Sequence, residues 1–162
     1  MKILGIDPGS TRIGYGLIER GASLTLLEYG VLEIKAVSAD KRIHELSLRF
    51  KKLLEKFAPD LAGIETLYFS KNQKTALSVA ESRGVLMLCL IERGIPVKEF
   101  RPGDVKLAVA NYALADKIAV AKMVKKILGI EGITGHDDAS DALAIAITAA
   151  HARTWESRGQ PR

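Results

Sequence analysis

Four carboxylates in this chain stand where a cation site would need them: Asp7, Glu65, Asp138 and Asp141. Asp7 ends the short apolar run Ile3-Leu4-Gly5-Ile6, and Glu65 ends Leu61 to Ile64. In open α/β sheets, ligand sites lie beyond the carboxyl ends of the parallel strands, so these acids meet if their two strands are neighbours. Asp138 and Asp141 are three apart at the start of a helix, which puts both on one face. The positive helix N-terminus partly offsets their repulsion. The residues behind them, Ala142 to Ile147, are almost wholly apolar. A helix that greasy packs against a sheet and holds its acidic first turn rigidly. Oxygen-only donors with no cysteine and no paired histidine suit a hard cation, Mg²⁺ or Mn²⁺. Two such ions about 4 Å apart can activate water and stabilise the leaving oxygen in phosphodiester cleavage. The spacing fits a plainer reading equally well: two turn residues at strand ends and two N-terminal residues of a helix.

Charge is spread unevenly around these acids. Lys98 to Lys126 holds seven Lys or Arg against Glu99, Asp104 and Asp116. From Gly129 to Ala150 only acids are charged: Glu131, Asp137, Asp138 and Asp141. A basic tract beside an acidic cluster fits a polyanion held next to a cation site, although two solvated helix faces of opposite sign look the same. The net charge of +5 and pI near 9.3 permit a nucleic-acid partner without requiring one.

The 162 residues have the size of one domain, expected over 1–155 with a polar tail at 156–162. A single cysteine, Cys89, argues against a disulfide scaffold and reads as core or interface packing. No signal-peptide core or membrane-length apolar stretch stands out, so a cytoplasmic location is expected.

The positioning elements follow from periodicity. Three strand runs, near 3–6, 14–19 and 24–34, permit an antiparallel meander. Asp40 can cap a helix carrying Ile43, Leu46, Phe50, Leu53, Leu54 and Phe57 on one stripe. The strand at 61–64 follows, then a long helix opened by Asn72, with Leu77, Ala80, Gly84, Leu88 and Ile91 as its inner face. A strand at 95–100 precedes three helices, beginning at Pro102, Asp116 and near Asp137. The fold class expected is α/β: a mixed five-stranded sheet, a meander plus parallel strands, flanked by helices.

A nucleotide site is a competing reading of the opening turn. Gly5-Ile6-Asp7-Pro8-Gly9-Ser10 with Gly14 also suits the phosphate loop of an actin-like ATPase. Such enzymes need two lobes and a second glycine-rich loop, for which this chain has no room. The GxGxxG and GxxxxGK[ST] signatures are absent.

The collinear pieces GIDPGSTRIGYG at 5–16, IETLYFSKN at 64–72, RGV at 83–85, VK at 105–106, DK at 116–117 and DDASDALAIAIT at 137–148 resemble the RuvC family. That family comprises bacterial crossover junction endodeoxyribonucleases, which resolve Holliday junctions. The resemblance implies a ribonuclease-H-like fold, a homodimer, four-way junction DNA as substrate, and the RuvA–RuvB branch-migration complex as partner. It also implies two Mg²⁺ per site, with Mn²⁺ able to substitute, and products with 5′-phosphate and 3′-hydroxyl ends.

Carried over by position, the family's metal-binding acids match Asp7, Glu65, Asp138 and Asp141. Its catalytic lysines match Lys106 and Lys117, and its aromatic after the second acid matches Tyr68, with Phe69 beside it. Such a ring can stack on a base freed at the junction centre. Lys71 and Arg83 are candidate phosphate contacts, and His136 and Asp137 candidate outer partners of the metal ligands, Asp137 more simply a helix cap. One stretch departs from the pattern. The family places a glycine-containing loop before the second lysine, whereas this chain has Asn111-Tyr112-Ala113-Leu114-Ala115-Asp116-Lys117. A stiffer or reshaped loop is expected there. Two neighbouring readings remain open: a junction-binding protein with weakened cleavage, and a ribonuclease-H-like nuclease acting on another nucleic acid.

Overall fold

The computed structural model describes residues 1–67, 73–133 and 137–152. Five strands form one sheet: β1 (Lys2–Asp7), β2 (Arg12–Arg20), β3 (Leu24–Glu33), β4 (Leu61–Glu65) and β5 (Val97–Phe100). Five helices flank it: α1 (Ala39–Phe57), α2 (Gln73–Glu92), α3 (Pro102–Ala110), α4 (Lys117–Leu128) and α5 (Asp137–His151). The spatial order is β3-β2-β1-β4-β5. The first three strands pair antiparallel, while β4 runs parallel to both β1 and β5. This is the mixed sheet expected from the sequence. The 156–162 tail lies outside the described residues. Among the described residues no helix is long and apolar enough to cross a membrane.

Strand alternation sorts the side chains into two cores. Leu4 and Ile6 of β1 and Ala62 and Ile64 of β4 face α1 and α2, joining Leu46, Phe50, Leu54, Leu86 and Leu90. Ile3 and Leu61 face the other way, toward α3, α4 and α5. Gly5 and Gly63 share that second face, because a Cβ on either would run into α5. A Cβ on Gly5 would lie 2.0 Å from the Ala142 carbonyl oxygen. Without side chains there, the α5 backbone settles directly on β1. Its buried run from Ala139 to Ala150 then forms the centre of that layer.

Helix ends follow local chemistry. The side chain of Asp116 accepts from the Ala119 N–H at 2.7 Å and caps α4, and Gly129 ends that helix at φ 65°. Ser38, not Asp40, occupies the N-cap position of α1, which begins at Ala39 with Asp40 in its first turn. Ile43 is more than a third exposed, so the inward stripe of α1 starts at Leu46.

One helix face differs from the sequence expectation. On α2 the buried residues are Ser82, Leu86, Cys89 and Leu90. Leu77, Gly84, Leu88 and Ile91, expected inside, are exposed, and Ala80 is only partly buried. The helix carries apolar residues at helical spacing on two sides. Periodicity finds both stripes but does not say which one meets the sheet.

Candidate active site

The register of the sheet assembles the site. Asp7 is the last residue of β1 and lies opposite Gly14 of β2. On its other side, β4 runs parallel with Ile6 opposite Ile64, so Glu65 ends level with Asp7. By alternation with Gly5 and Gly63, both acids point to the α5 face. Glu65 is held from behind by β5, where Thr66 bonds the Phe100 carbonyl through its N–H at 2.8 Å and its hydroxyl at 3.2 Å.

Gly14 brings in the helix acids. A Cβ there would stand 2.1 Å from the Asp138 carbonyl oxygen. The first turn of α5 therefore rests on the β2 backbone directly beside Asp7. Asp138 and Asp141 emerge from this turn, each about a third exposed at the side chain. The four expected acids thus come to one end of the sheet.

Their electrostatics differ. The pKa of Asp7 is raised from 3.8 to about 7, by burial first and then by the charges of Asp141, Glu65 and Asp138, with Lys117 opposing. Burial also raises the pKa of Glu65, with Asp141 adding to the shift while Lys117 and Lys106 oppose it. The helix acids have cations on them. Lys117 Nζ lies 3.0 Å from Asp141 Oδ2, and this bond raises the lysine pKa. Arg12 places a guanidinium nitrogen 2.6 Å from Asp138 Oδ2.

A cleft of about 280 Å³ opens between β1, β4, α3, α4 and α5, lined by Asp7, Glu65, Asp141, Lys106 and Lys117 over an apolar floor that includes Val105 and Val120. Asp138 stands to the side of this cleft, in its pair with Arg12. Asp137 is exposed at the start of α5. Arg83 is turned inward: its Nε donates to the Glu65 carbonyl at 3.4 Å and its guanidinium pairs with Glu99. It therefore braces the strand end that carries Glu65. Tyr68, Phe69, Lys71 and His136 lie outside the described residues.

The sequence reading did not single out Arg12. Its contact depends on the antiparallel pairing of β1 with β2, which sets position 12 near the mouth of the site. A basic residue two positions before the glycine that faces Asp7 was the available signal. The Nε of Arg12 is buried without a hydrogen-bond partner among the described residues, so this side chain is only partly satisfied where it stands.

The donor set fits a hard divalent cation. It is all oxygen, and Asp7, whose pKa is raised by burial and then by three neighbouring carboxylates, is a group whose ionised form such an ion would favour. As placed, no three acid, histidine or cysteine side chains among the described residues stand close enough to hold an ion. Arg12 and Lys117 occupy Asp138 and Asp141 instead. A cation closing on the acids would compete with these two pairs.

Known proteins give the geometry its context. The family model for crossover junction endodeoxyribonuclease RuvC matches residues 3–149. The chain is 44% identical to the RuvC crossover junction endodeoxyribonuclease of Chloroflexus aggregans over 153 residues, covering 93% of each protein. It is 43% identical to that of Thermotoga petrophila over 148 residues, covering 90% of each. The structure of Thermus thermophilus RuvC in complex with Holliday junction substrate superposes with a TM-score of 0.85 at 33% identity, covering 93% of each chain. Matches that run end to end through both strand acids and the α5 acids leave one assignment: the chain belongs to the RuvC family of crossover junction endodeoxyribonucleases.

Proposed function

We propose that this chain cuts four-way DNA junctions at the cleft beyond β1 and β4, using Asp7, Glu65, Asp138 and Asp141 to hold two Mg²⁺ ions. The observation that carries this is the convergence of four carboxylates at one sheet end, with Asp7 raised to about 7 by burial and by the other three. Bound Mg²⁺ would neutralise phosphate charge and lower the pKa of a water, with Mn²⁺ a competent substitute.

The chain's own groups do the remainder. Asp7, between Glu65 and the α5 acids, would be a ligand of the bound metal together with them. Lys106 and Lys117 line the same cleft, and their ammonium groups balance negative charge building on the scissile phosphate. Lys117 leaves Asp141 to do so. Hydrolysis leaves a 5′-phosphate and a 3′-hydroxyl, the polarity implied by the family. Tyr68 and Phe69, which follow Glu65 in sequence, are the candidate base contacts and Lys71 a candidate phosphate contact, whereas Arg83 would first have to leave Glu99 to reach a phosphate. Asp137 and His136 are candidate outer partners of the α5 acids.

Resolving a junction takes two symmetric cuts, and a two-fold dimer supplies them. The exposed stripe of Leu77, Gly84, Leu88 and Ile91 on α2 is the surface for a second copy. Leu88→Glu should then yield a monomer in sedimentation and single nicks in place of paired cuts. A RuvA–RuvB branch-migration complex is the partner the family implies.

The test is a substrate panel. A mobile four-way junction, a linear duplex and an RNA–DNA hybrid are incubated with the protein, with Mg²⁺ or with a chelator. Cleavage confined to the junction and to Mg²⁺ supports this reading. Preferential cutting of the hybrid, or junction binding without cutting in Mg²⁺, would reject it in favour of the two neighbouring readings.

A further inference from the structure

The turn between α3 and α4 carries an exposed apolar patch at the rim of the carboxylate cleft. α3 ends on Asn111 in the left-handed region at φ 57°. Asparagine is among the few side chains that tolerate this conformation, so it does the work of a glycine. The chain then turns tightly, and the Ala115 N–H donates to the Tyr112 carbonyl at 3.1 Å. Ala115 is buried and anchors the turn, at 5% exposure. Its neighbours point outward: Tyr112 is 59% exposed, Leu114 77% and Ile118 81%, with Leu107 of α3 at 52%. Scattered apolar residues on a surface are ordinary, but these four fall on one turn and the two helices that flank it, next to the residues that line the cleft.

The location and the charges indicate the partner. Val105, Lys106, Lys117 and Val120, from the two helices that this turn joins, all line the cleft. The two acids nearby are engaged locally. Asp104 accepts from the Arg101 backbone N–H at 3.3 Å, and Asp116 caps α4. The cations Arg101, Lys106, Lys117 and Lys122 outnumber these two acids, so the rim carries a net positive charge. The α2 stripe differs, because its edge carries both signs, in Lys51–Glu92 and Arg93–Glu55 pairs. A rim that is apolar and net positive fits nucleotides whose bases have lost their stacking partners, whereas an edge of balanced sign fits a protein.

We propose that Tyr112 and Leu114 are specificity-determining DNA contacts, packing against the bases and sugars next to the scissile phosphate. This rests on the function proposed above. Tyr112 stacks on an unpaired base, and Leu114 packs against a deoxyribose or a thymine methyl. Every base has a π-face, so the preference arises from how readily each step at the exchange point unstacks. The glycine-less turn thus gives this chain its own reading of junction sequence.

The test compares the full chain with the double variant Tyr112→Ala/Leu114→Ser and with Tyr112→Phe. All altered side chains are exposed, and the Ala115 anchor is kept. Junctions of varied crossover sequence are cut with Mg²⁺, and a 2-aminopurine beside the cut site reports stacking. The double variant should lose roughly tenfold in discrimination between best-cut and worst-cut junctions, along with most of the fluorescence change. Tyr112→Phe should keep both. A double variant with wild-type discrimination and fluorescence overturns the inference. So does one whose sedimentation shows an altered oligomer, which makes the patch a protein contact. Wild-type protein that cuts no junction overturns the proposed function as well, whereas wild-type cutting with an unchanged double variant overturns this inference alone.

Discussion

The two strand acids and the two helix acids reach the same site by different physics. Asp7 and Glu65 are fixed by strand register, largely buried, and kept from ionising easily. Asp138 and Asp141 sit on the first turn of a helix, partly exposed, each with a cation on it. The strand pair is therefore a rigid, charge-starved half, and the helix pair a half already balanced by side chains. On the proposed function, a site built this way would take up metal by exchanging internal cations for external ones. The protein bears the cost of crowding carboxylates mainly at the strand ends.

The contrast can be broken by substitution. The largest effect should come from Glu65→Gln, which removes a strand acid without disturbing α5. Junction cleavage with Mg²⁺ should fall by about 10³-fold or more, read from initial rates on a labelled junction. A loss under tenfold would mean that the strand half is not where the chemistry occurs.

Lys117→Met should be next, at about 10²-fold in cleavage rate with junction binding little changed. This lysine pairs with Asp141 here and, on the proposed function, would turn to the phosphate when substrate is present. If binding and cleavage fell together, it would be only an electrostatic contact to the backbone.

Stability should separate the halves by pH. The folded state holds the Asp7 proton more tightly than the unfolded chain, so this group subtracts stability as pH rises from about 4 to about 7. Asp7→Asn (D7N) should therefore melt higher than wild type at pH 8, by roughly 5 °C, with the difference vanishing near pH 4. Asp141→Asn should show no such gain, because Lys117 already offsets its charge. Equal gains for both variants in thermal melts would erase the distinction.

The smallest effect should be at Arg12. Arg12→Gln frees Asp138 from a partly exposed pair, so Mg²⁺ affinity in calorimetry should tighten by roughly two- to fivefold. Weaker Mg²⁺ binding would make Arg12 a support for Asp138 rather than a competitor.

Much of this site was legible in the sequence, for identifiable reasons. An apolar run that ends in an acid marks a strand delivering a side chain to the sheet end, and Asp7 and Glu65 both carry that mark. The run behind Asp141 is so uniformly apolar that α5 could only be an inner helix. The buried face of α2 was not legible, because two apolar stripes satisfy the same periodicity and only packing against α1 and the sheet chooses between them. Arg12 was hidden for a related reason: its partner is 126 positions away in sequence, and the meeting is set by Gly14 lying under α5. The 111–117 turn was recognisable as a departure. Its solution, Asn111 at positive φ and a buried Ala115, depended on three-dimensional fit.

The proposed activity has the acids at the sheet end cut junctions through bound metal. It is tested most directly by assaying Asp7→Asn (D7N) on a four-way junction, with binding and cleavage measured on the same preparation. The variant should bind the junction as wild type does and leave it uncut in saturating Mg²⁺ or Mn²⁺. Near-normal cleavage by this variant would contradict the account.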